Sequence, residues 1–529
     1  MSQLLHQLVY DTARRVPELA ALSYKEQSLD YGALWRQIEA AARALVGLGL
    51  KRGERLGIYL EKRIETVIAM FGAAAAGCVF VPINPILKPR QVGYILRDCN
   101  VRAVVTSSQR ASDLAAEFDN SPDLSVIVLV DRGGAAIPGH TSKMMDWEEF
   151  MAGQGTGIPH RVIDTDMAAI LYTSGSTGNP KGVVLSHRNM VAGAKSVSQY
   201  LENSSEDRIL SVLPLSFDAG LSQLTTAFAV GAKAVLLNYL LPRDVIRACA
   251  KEAITGLTGV PPLWIQLAEL DWPERARRSM RYFANTGGHM PFATLQRLRA
   301  VLPQAKPYLM YGLTEAFRST YLDPAEVDRR PDSIGKAIPN AEILVVRPDG
   351  ELCAPDEPGE LVHRGALVSL GYWNDPERTA ERFRPAPGRA KAMTLPEIAV
   401  WSGDIVRRDA DGFLYFIGRR DEMIKTSGYR VSPTEIEEVV YSTGLVGAAA
   451  AIGVPHPRLG QGIIVVATPP QDGRLDREEL LDKCRQNMPH YMVPLLIEER
   501  STLPRNPNGK IDRKLLAAEF AAALQKEGA

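Results

Sequence analysis

The sequence has few cysteines, and none are spaced for a shared role. Five occur among 529 residues, and no two of them form a CxxC pair. Small zinc sites and disulfide frameworks need closely spaced cysteines. The scattered pattern argues against both kinds of site and favours a reducing compartment. We therefore expect a soluble, cytoplasmic protein.

Charge of one sign is not in excess. Lys plus Arg and Asp plus Glu each total 61, which gives a formal net charge of zero. Binding to nucleic acid or to an anionic membrane without sequence specificity depends on a broad positive field. The balance argues against both classes of partner.

Long apolar runs are also missing. The most apolar stretch, residues 69–82, contains Gly72 and Gly77 and is shorter than the roughly 20 residues of a membrane span. We interpret it as a buried helix that leads into a strand. The N-terminal segment MSQLLHQLVYDTARR has charges where a signal peptide is apolar, and it predicts an amphipathic helix.

Short apolar runs alternate with segments of helical periodicity through most of the chain, which predicts an α/β fold with parallel sheets covered on both faces. At about 150 residues per unit, the length predicts three or four folding units. From about Ile334 the chain changes to short strands with turn signals, which predicts a small β-barrel-like module. The strand predictions are 56–60, 103–106, 125–130, 168–172 and 234–237, and the helix predictions include 31–48 and 243–252.

The strongest local signal is YTSGSTGNPKGV at residues 172–183, between two predicted strands. Its glycines let backbone N–H groups converge on an anion, its hydroxyls add donors and its lysine adds charge. The ending Asn-Pro-Lys-Gly differs from that of a P-loop NTPase. Alone, such a stretch also fits a solvated turn. The candidate phosphate contacts are Thr173, Ser174, Gly175, Ser176, Thr177, Gly178 and Lys181.

Five further motifs follow along the chain: NTGGHM at 285–290, MYGLTE at 310–315, WSGD at 401–404, GRRD at 418–421 and NPNGKID at 506–512. With these motifs in this order, the sequence resembles the adenylate-forming superfamily, which includes acyl-CoA synthetases, adenylation domains of non-ribosomal peptide synthetases and firefly-type luciferases. The resemblance runs from about Leu5 to Leu524.

The resemblance implies a nucleotide site. Tyr311 and Gly312 would contact adenine, with Gly287 and Gly288 on a turn beside it. Thr314 would bond the α-phosphate, and Glu315 would hold Mg²⁺, since a carboxylate suits this hard cation. Asp404 would bind the ribose hydroxyls and Arg419 the nucleotide. Taken singly, the motifs also fit a buried tyrosine, a β-turn and a turn aspartate.

The resemblance also implies a domain division. Residues 1–418 would form a large N-terminal domain of two βα-layered subdomains plus the β-barrel-like module, and 423–529 a small mobile α+β domain. Asp421, in the linker 419–422, would be the hinge. Gly428 would border the passage for CoA or phosphopantetheine. Lys510, which alone would be taken for a solvated charge, would be the catalytic lysine.

The segment LPLSFDAG, residues 213–220, bears on the substrate. Phe217 stands where many acyl-CoA synthetases carry histidine, and Phe-Asp resembles amino-acid-activating domains, whose aspartate pairs with an α-amino group. A buried carboxylate needs a cation, so Asp218 predicts an ammonium, unless it caps a helix beginning near Ala219. Arg318 would pair with a second carboxylate of the substrate, pair with Asp218, or lie on the surface.

These features favour an AMP-forming acid:thiol ligase that uses ATP, Mg²⁺ and CoA, with a small polar or amino acid as substrate. The alternative is a stand-alone enzyme that loads an amino or β-amino acid onto the phosphopantetheine of a carrier protein. A regulatory protein without catalysis is disfavoured by the intact Lys510, Glu315 and Asp404. The segment SFDAGLSQLTTAF also resembles acyl-CoA ligases encoded beside exosortase-type systems.

Overall fold

The structure, a computed structural model, describes residues 2–131, 142–153, 157–173, 180–388, 394–419, 422–426, 429–456, 459–470, 473–507 and 509–521.

Seventeen helices occur in the described residues. Helix α3 illustrates why they form: nearly every side chain in IETVIAMFGAAAA is apolar and buried, as in a helix surrounded by protein. It ends at Ala76, and the next residue, Gly77, has a φ of 80°, which favours glycine. The helices are α1 Gln7–Arg15, α2 Tyr31–Gly47, α3 Ile64–Ala76, α4 Pro89–Asp98, α5 Ser108–Asp113, α6 Ala115–Asp119, α7 Trp147–Ala152, α8 His187–Tyr200, α9 Asp218–Val230, α10 Pro242–Glu252, α11 Pro261–Leu267, α12 Glu274–Ser279, α13 Phe292–Val301, α14 Pro376–Arg382, α15 Pro433–Ser442, α16 Arg477–Asn487 and α17 Arg513–Glu519.

The strands in the described residues are β1 Ala20–Tyr24, β2 Gln27–Asp30, β3 Arg55–Tyr59, β4 Val79–Pro82, β5 Val101–Thr106, β6 Val126–Leu129, β7 Lys143–Asp146, β8 Met167–Thr173, β9 Lys181–Ser186, β10 Arg208–Ser211, β11 Lys233–Leu236, β12 Gly256–Gly259, β13 Tyr282–Asn285, β14 Lys306–Tyr311, β15 Thr320–Leu322, β16 Ser333–Ala337, β17 Ala341–Val346, β18 Gly359–Gly365, β19 Phe383–Pro385, β20 Ile398–Arg408, β21 Leu414–Arg419, β22 Ile424–Thr426, β23 Tyr429–Val431, β24 Ala448–His456, β25 Gly460–Thr468 and β26 Leu496–Glu499.

Two large sheets organise the N-terminal part. The first has the order β7-β6-β5-β3-β4-β8-β9, parallel up to β8 and antiparallel at β9. The second contains the parallel run β1-β11-β10-β12-β13-β14. The α/β prediction is confirmed, and the strands predicted at 56–60, 103–106, 125–130, 168–172 and 234–237 fall on β3, β5, β6, β8 and β11.

Helices α2, α3, α8 and α9 lie between the two sheets and form the largest hydrophobic core with them. Phe71 of α3 and Phe228 of α9 meet edge to face, with ring centroids 5.3 Å apart. Helices α4 to α6 cover the outer face of the first sheet, and α10 to α13 that of the second. Both sheets are therefore covered on both faces, as expected.

The β-rich module predicted after Ile334 is an antiparallel run, β16-β21-β20-β18-β17, with β19 beside β20. It continues the second sheet through β15 and β16, which pair with β14 and with each other. The C-terminal part forms a separate sheet of β22 to β26. Helices α15 and α16 pack on one face and α17 on the other.

Within the part of the chain that the structure describes, helices that combine the length and the apolar character of a membrane span are not found.

Candidate active site

The motif residues converge on one cleft. The phosphate loop, LPLSFDAG, NTGGHM and MYGLTE lie at the carboxyl ends of β8, β10, β13 and β14 or in the loops that follow these strands, whereas Asp404 and Arg419 lie on β20 and β21. Strands of an open α/β sheet bring such loops together, and ligands bind there. The loop before α17 reaches into the same cleft from the C-terminal part of the chain.

Strands β8 and β9 form the hairpin around the predicted phosphate loop. Thr173 and Lys181 are paired across it, so both stand where the loop leaves the sheet. The Oγ1 of Thr173 is buried and has no hydrogen-bond partner among the described residues. The other predicted contacts in the loop, Ser174, Gly175, Ser176, Thr177 and Gly178, lie outside the described residues.

Lys181 and Glu315 form an ion pair to which Tyr372 is also bonded. The Nζ of Lys181 lies 2.9 Å from Oε1 of Glu315 and 2.7 Å from the Tyr372 hydroxyl. That hydroxyl donates to the same Oε1 at 2.5 Å. The three groups form a closed triangle that holds the Glu315 carboxylate in one place.

The Glu315 carboxylate is ionised. Burial alone would raise its pKa, but the charge of Lys181 and the hydrogen bonds from Tyr372 and Lys181 outweigh burial and hold the pKa at about 2. The side chain is still 13% exposed toward the cleft. It is therefore available to a ligand as a negatively charged oxygen donor.

Tyr372 reaches Glu315 because residues 369–373 pair with β9. The N–H of Leu370 donates to the carbonyl of Val184 at 2.8 Å, and the N–H of Trp373 donates to the carbonyl of Gly182 at 2.7 Å. This segment therefore extends the first sheet beyond β9 and places the Tyr372 side chain at the Lys181 end of that strand.

Tyr311, Asp404 and Arg419 form a second polar group. The Tyr311 hydroxyl donates to Oδ2 of Asp404 at 2.5 Å, and Nε of Arg419 donates to Oδ1 at 3.0 Å. Burial and the Asp404 charge raise the pKa of Tyr311, so it stays a hydrogen-bond donor. Both oxygens of Asp404 thus face donors that a ribose could replace.

Glycines at two turns allow close approach of backbone. Gly287 has a φ of 78°, in the left-handed region, where a side chain would be strained. A Cβ on Gly312 would lie 3.1 Å from the Cα of Arg318, because the chain folds back over residues 311–319. Thr314 lies in this fold-back, in a short 3₁₀ helix, and is 8% exposed.

Lys510 enters the cleft from the C-terminal domain. Its Cε lies 3.5 Å from the position of a Cβ on Gly287. Asn506 shapes the loop, since its Oδ1 accepts from the Lys510 N–H at 3.0 Å. Desolvation and the charge of Arg419 lower the pKa of Lys510, while Asp218 and Asp404 oppose this shift. The Lys510 ammonium is thus within electrostatic range of both carboxylates.

Asp218 and Arg318 form a buried ion pair beyond Lys510. Oδ2 of Asp218 lies 3.3 Å from Nη1 of Arg318, and the side chains are 4% and 2% exposed. The same Nη1 lies 3.3 Å from Oγ1 of Thr286, whereas Nε of Arg318 has no partner in the described structure. Burial raises the pKa of Asp218, and the charges of Arg318 and Lys510 oppose this rise.

The alternatives for these two residues are now decided. Helix α9 begins at Asp218, and its cap position is Phe217, so the interpretation of Asp218 as a cap before Ala219 is wrong. A surface position for Arg318 is also wrong, because only 2% of it is exposed. Of the three alternatives that the sequence left open for Arg318, the structure shows the contact with Asp218.

A small cavity adjoins Arg318, with a free volume of about 10 Å³, roughly the space of one water molecule. Its lining includes Ser222, Thr226 and Thr258 beside apolar side chains such as Met310. The region next to the ion pair is therefore small and partly polar.

Known proteins match the whole length of the chain. The AMP-binding enzyme family matches residues 9–373, and the AMP-binding enzyme C-terminal domain matches residues 435–510. This chain belongs to the AMP-binding enzyme family. The predicted resemblance to adenylate-forming enzymes is confirmed.

Individual relatives agree with this assignment. A long-chain-fatty-acid–CoA ligase of Escherichia coli O157:H7 is 30% identical over 92% of this chain and 90% of its own. A linear gramicidin synthase polypeptide of Brevibacillus parabrevis is 28% identical over 97% of this chain but 10% of its own. The anthranilate CoA ligase AuaEII, solved with anthranoyl-AMP, superposes with a TM-score of 0.88 at 24% identity, covering 99% and 100% of the two chains.

The expected class, an AMP-forming acid:thiol ligase, is confirmed for this AMP-binding enzyme, as is a large N-terminal domain with a smaller C-terminal one. The cleft fits its nucleotide. Mg²⁺ is held in such sites by one or two carboxylates plus phosphate oxygens, and Glu315 offers one ionised carboxylate beside Lys181. Asp404 offers two acceptor oxygens for ribose hydroxyls.

Seven predicted residues lie outside the described residues. They are the five loop residues named above, together with Asp421, the expected hinge, and Gly428, expected beside the thiol passage. The remaining predicted residues, including Gly288, surround the cleft described above. Tyr372 and Thr286 were not predicted. Thr286 lies inside the NTGGHM motif, which pointed to its neighbourhood, whereas no local pattern marks Tyr372.

Proposed function

We propose that this AMP-binding enzyme activates a small polar or amino-bearing carboxylic acid with MgATP and transfers the acyl group to the thiol of CoA. The observation that carries the proposal is that Lys510 reaches the turn at Gly287, in one cleft with Asp218 at the acid end and Asp404 at the nucleotide end, and interacts electrostatically with both. This arrangement puts a cation where an acid and a nucleotide would meet.

The first half-reaction joins two anions. A carboxylate oxygen bonds to the α-phosphorus of ATP as the bond to pyrophosphate breaks. Positive charge must offset the repulsion and the charge that develops. Lys510 supplies such a charge, and Thr314 donates to the α-phosphate. Asp404 accepts from the ribose hydroxyls, and Glu315 would hold Mg²⁺, whose charge would offset that of the phosphate oxygens.

The second half-reaction replaces AMP by a thiol. Sulfur bonds to the acyl carbon, the carbon–oxygen bond to AMP breaks, and the thiol proton passes to solvent. Lys510 would obstruct this step if it stayed. We therefore propose that residues 423–529 rotate as a mobile domain relative to 1–418, about a hinge at Asp421, and bring Gly428 to the cleft.

The substrate proposal depends on the ion pair of Asp218 and Arg318. Opening a buried pair leaves charges without partners, which is costly. An amino dicarboxylate avoids this cost, because its ammonium pairs with Asp218 while its distal carboxylate pairs with Arg318. The unpartnered Nε of Arg318 supports the assignment, since it is a free donor in a site that is otherwise closed.

ATP–pyrophosphate exchange across a panel of amino acids, amino dicarboxylates and fatty acids tests this proposal. We expect exchange with small polar or amino-bearing acids. Strong exchange with medium-chain fatty acids alone would contradict the assignment of the substrate.

A carrier protein is the second candidate acceptor, favoured by the similarity to a linear gramicidin synthase and by Asp218. AMP release measured with CoA and with a phosphopantetheinylated carrier protein, at equal thiol concentration, separates the two. Release with the carrier protein alone would overturn the choice of CoA.

A further inference from the structure

A second cavity lies close to the small one beside Arg318. It is an open groove of about 350 Å³ between the end of α8 and strands β14 and β15. Its walls include Tyr200, Tyr308 and Tyr321, and its rim includes Glu202 and Lys306. We call it the outer groove, and we call the cavity beside Arg318 the inner cavity.

One layer of side chains separates the two spaces. Met310 lines the inner cavity, and Tyr200 lines the outer groove. The Tyr200 hydroxyl donates to Sδ of Met310 at 2.9 Å. On its groove side, the Tyr200 ring stacks on Tyr321, with ring centroids 4.2 Å apart and planes 10° from parallel.

Another part of the partition is Tyr282, which lines the inner cavity and meets Tyr308 edge to face at 5.9 Å. Tyr282 is tightly held, because a Cβ on Gly256 would lie within 2.5 Å of its ring and Asn203 donates to its hydroxyl at 3.3 Å. The contact between Tyr200 and Met310 is held less firmly. A thioether is a weak acceptor, and a methionine side chain adapts readily.

We propose that Tyr200 is a specificity-determining residue: with Met310 it closes the end of the acyl pocket and limits the length of the acid that the enzyme accepts. The inference rests on the proposed function, since it takes the inner cavity, which has room for about one water molecule, as the far end of the space that the acyl group enters. Without this partition, an acyl tail would extend into the outer groove, whose tyrosine rings suit an aliphatic tail.

The test is ATP–pyrophosphate exchange with straight-chain 2-amino acids of four to ten carbons and with the matching fatty acids. In the wild-type enzyme, exchange should fall beyond a certain chain length by at least about tenfold, the discrimination that one methylene gives in a pocket. Tyr200→Ala should move this cutoff to longer acids by a similar factor. Tyr200→Phe keeps the ring and should keep the cutoff.

Tyr321→Ala is the matched control, because it widens the outer groove without opening the partition. It should leave the length profile unchanged. If Tyr200→Ala does not fold, as judged by its thermal unfolding, Met310→Ala opens the same contact from the other side. A folded Tyr200→Ala or Met310→Ala enzyme with the wild-type cutoff would overturn the inference.

The paired series separates this inference from the substrate proposal. If fatty acids are used as well as amino acids, but Tyr200→Ala still lengthens both series, the amino requirement is wrong and the role of Tyr200 stands. If only amino acids are substrates and Tyr200→Ala does not move the length cutoff, the amino requirement stands and the role given to Tyr200 is wrong.

Discussion

The two ends of the cleft satisfy their charges differently. At the nucleotide end, the side chains of Lys181, Glu315, Asp404 and Arg419 are 17%, 13%, 10% and 45% exposed. At the acid end, Asp218 and Arg318 are sealed at 4% and 2%. Charges that touch water can exchange partners with a ligand at little cost, whereas a sealed pair opens only to a ligand that replaces both partners. The nucleotide end is therefore permissive, and the acid end is selective.

Removing one partner at each end is the strongest test of this contrast. Arg318→Met leaves Asp218 buried without its cation and should lower the free energy of unfolding by about 3–5 kcal/mol. Arg419→Met is the matched variant at the nucleotide end and should cost at most about 1 kcal/mol. Denaturant unfolding followed by tryptophan fluorescence measures both. If the two variants lost the same free energy of unfolding, the distinction between a sealed acid end and a water-accessible nucleotide end would be wrong.

Lys510 joins the two ends, so its loss should affect chemistry rather than folding. Lys510→Ala should lower ATP–pyrophosphate exchange by about 10²–10³-fold, the usual effect of removing one group that stabilises a transition state. Thiolation of a supplied acyl-adenylate should be largely retained. Lys483→Ala, which removes an exposed lysine on α16, is the control. Equal losses in both half-reactions would show that the role given to Lys510 is wrong.

Lys62 is a second buried charged group near the acid end and gives another test of the contrast. Its Nζ donates to the carbonyl of Val212 at 2.9 Å, just before the segment that leads to Asp218. Burial lowers its pKa from 10.5 to about 8. Between these values the unfolded chain holds the proton and the folded chain does not, so stability should rise with pH by roughly 3 kcal/mol.

A comparison of the wild-type protein with Lys62→Met isolates the contribution of Lys62 to the pH dependence of the unfolding free energy. The difference in unfolding free energy between the two proteins should stay constant below about pH 8 and change from there to about pH 10.5. A flat difference across the whole range would mean that Lys62 keeps its ordinary pKa.

At the nucleotide end, Tyr372→Phe should weaken metal binding. The variant removes a hydrogen bond to an ionised carboxylate, which is worth about 1.5–3 kcal/mol. The dissociation constant of Mn²⁺, measured by electron paramagnetic resonance with a non-hydrolysable ATP analogue, should rise about tenfold or more. Tyr415→Phe, a variant outside the cleft, is the control. An unchanged dissociation constant would show that Tyr372 contributes to packing and not to metal binding.

The nucleotide end could largely be predicted from the sequence, because each motif there carries its chemistry within a few residues. The hairpin around Lys181 and the turn at Gly287 are local structures. Tyr372 could not be predicted, since it meets Lys181 across 191 residues through strand pairing. The partner of Arg318 could not be predicted for the same reason, because Asp218 lies 100 residues away in the sequence. Only the folded structure shows that both side chains are buried and in contact.

The strand-like pairing of residues 370–373 with β9 has a consequence beyond the cleft. Strand β9 ends the first sheet, and an uncovered terminal strand is a template for joining another polypeptide. Its outer N–H and C=O groups are occupied by Leu370, Gly371 and Trp373 instead. The segment that carries Tyr372 to Glu315 therefore also protects the protein against edge-to-edge aggregation.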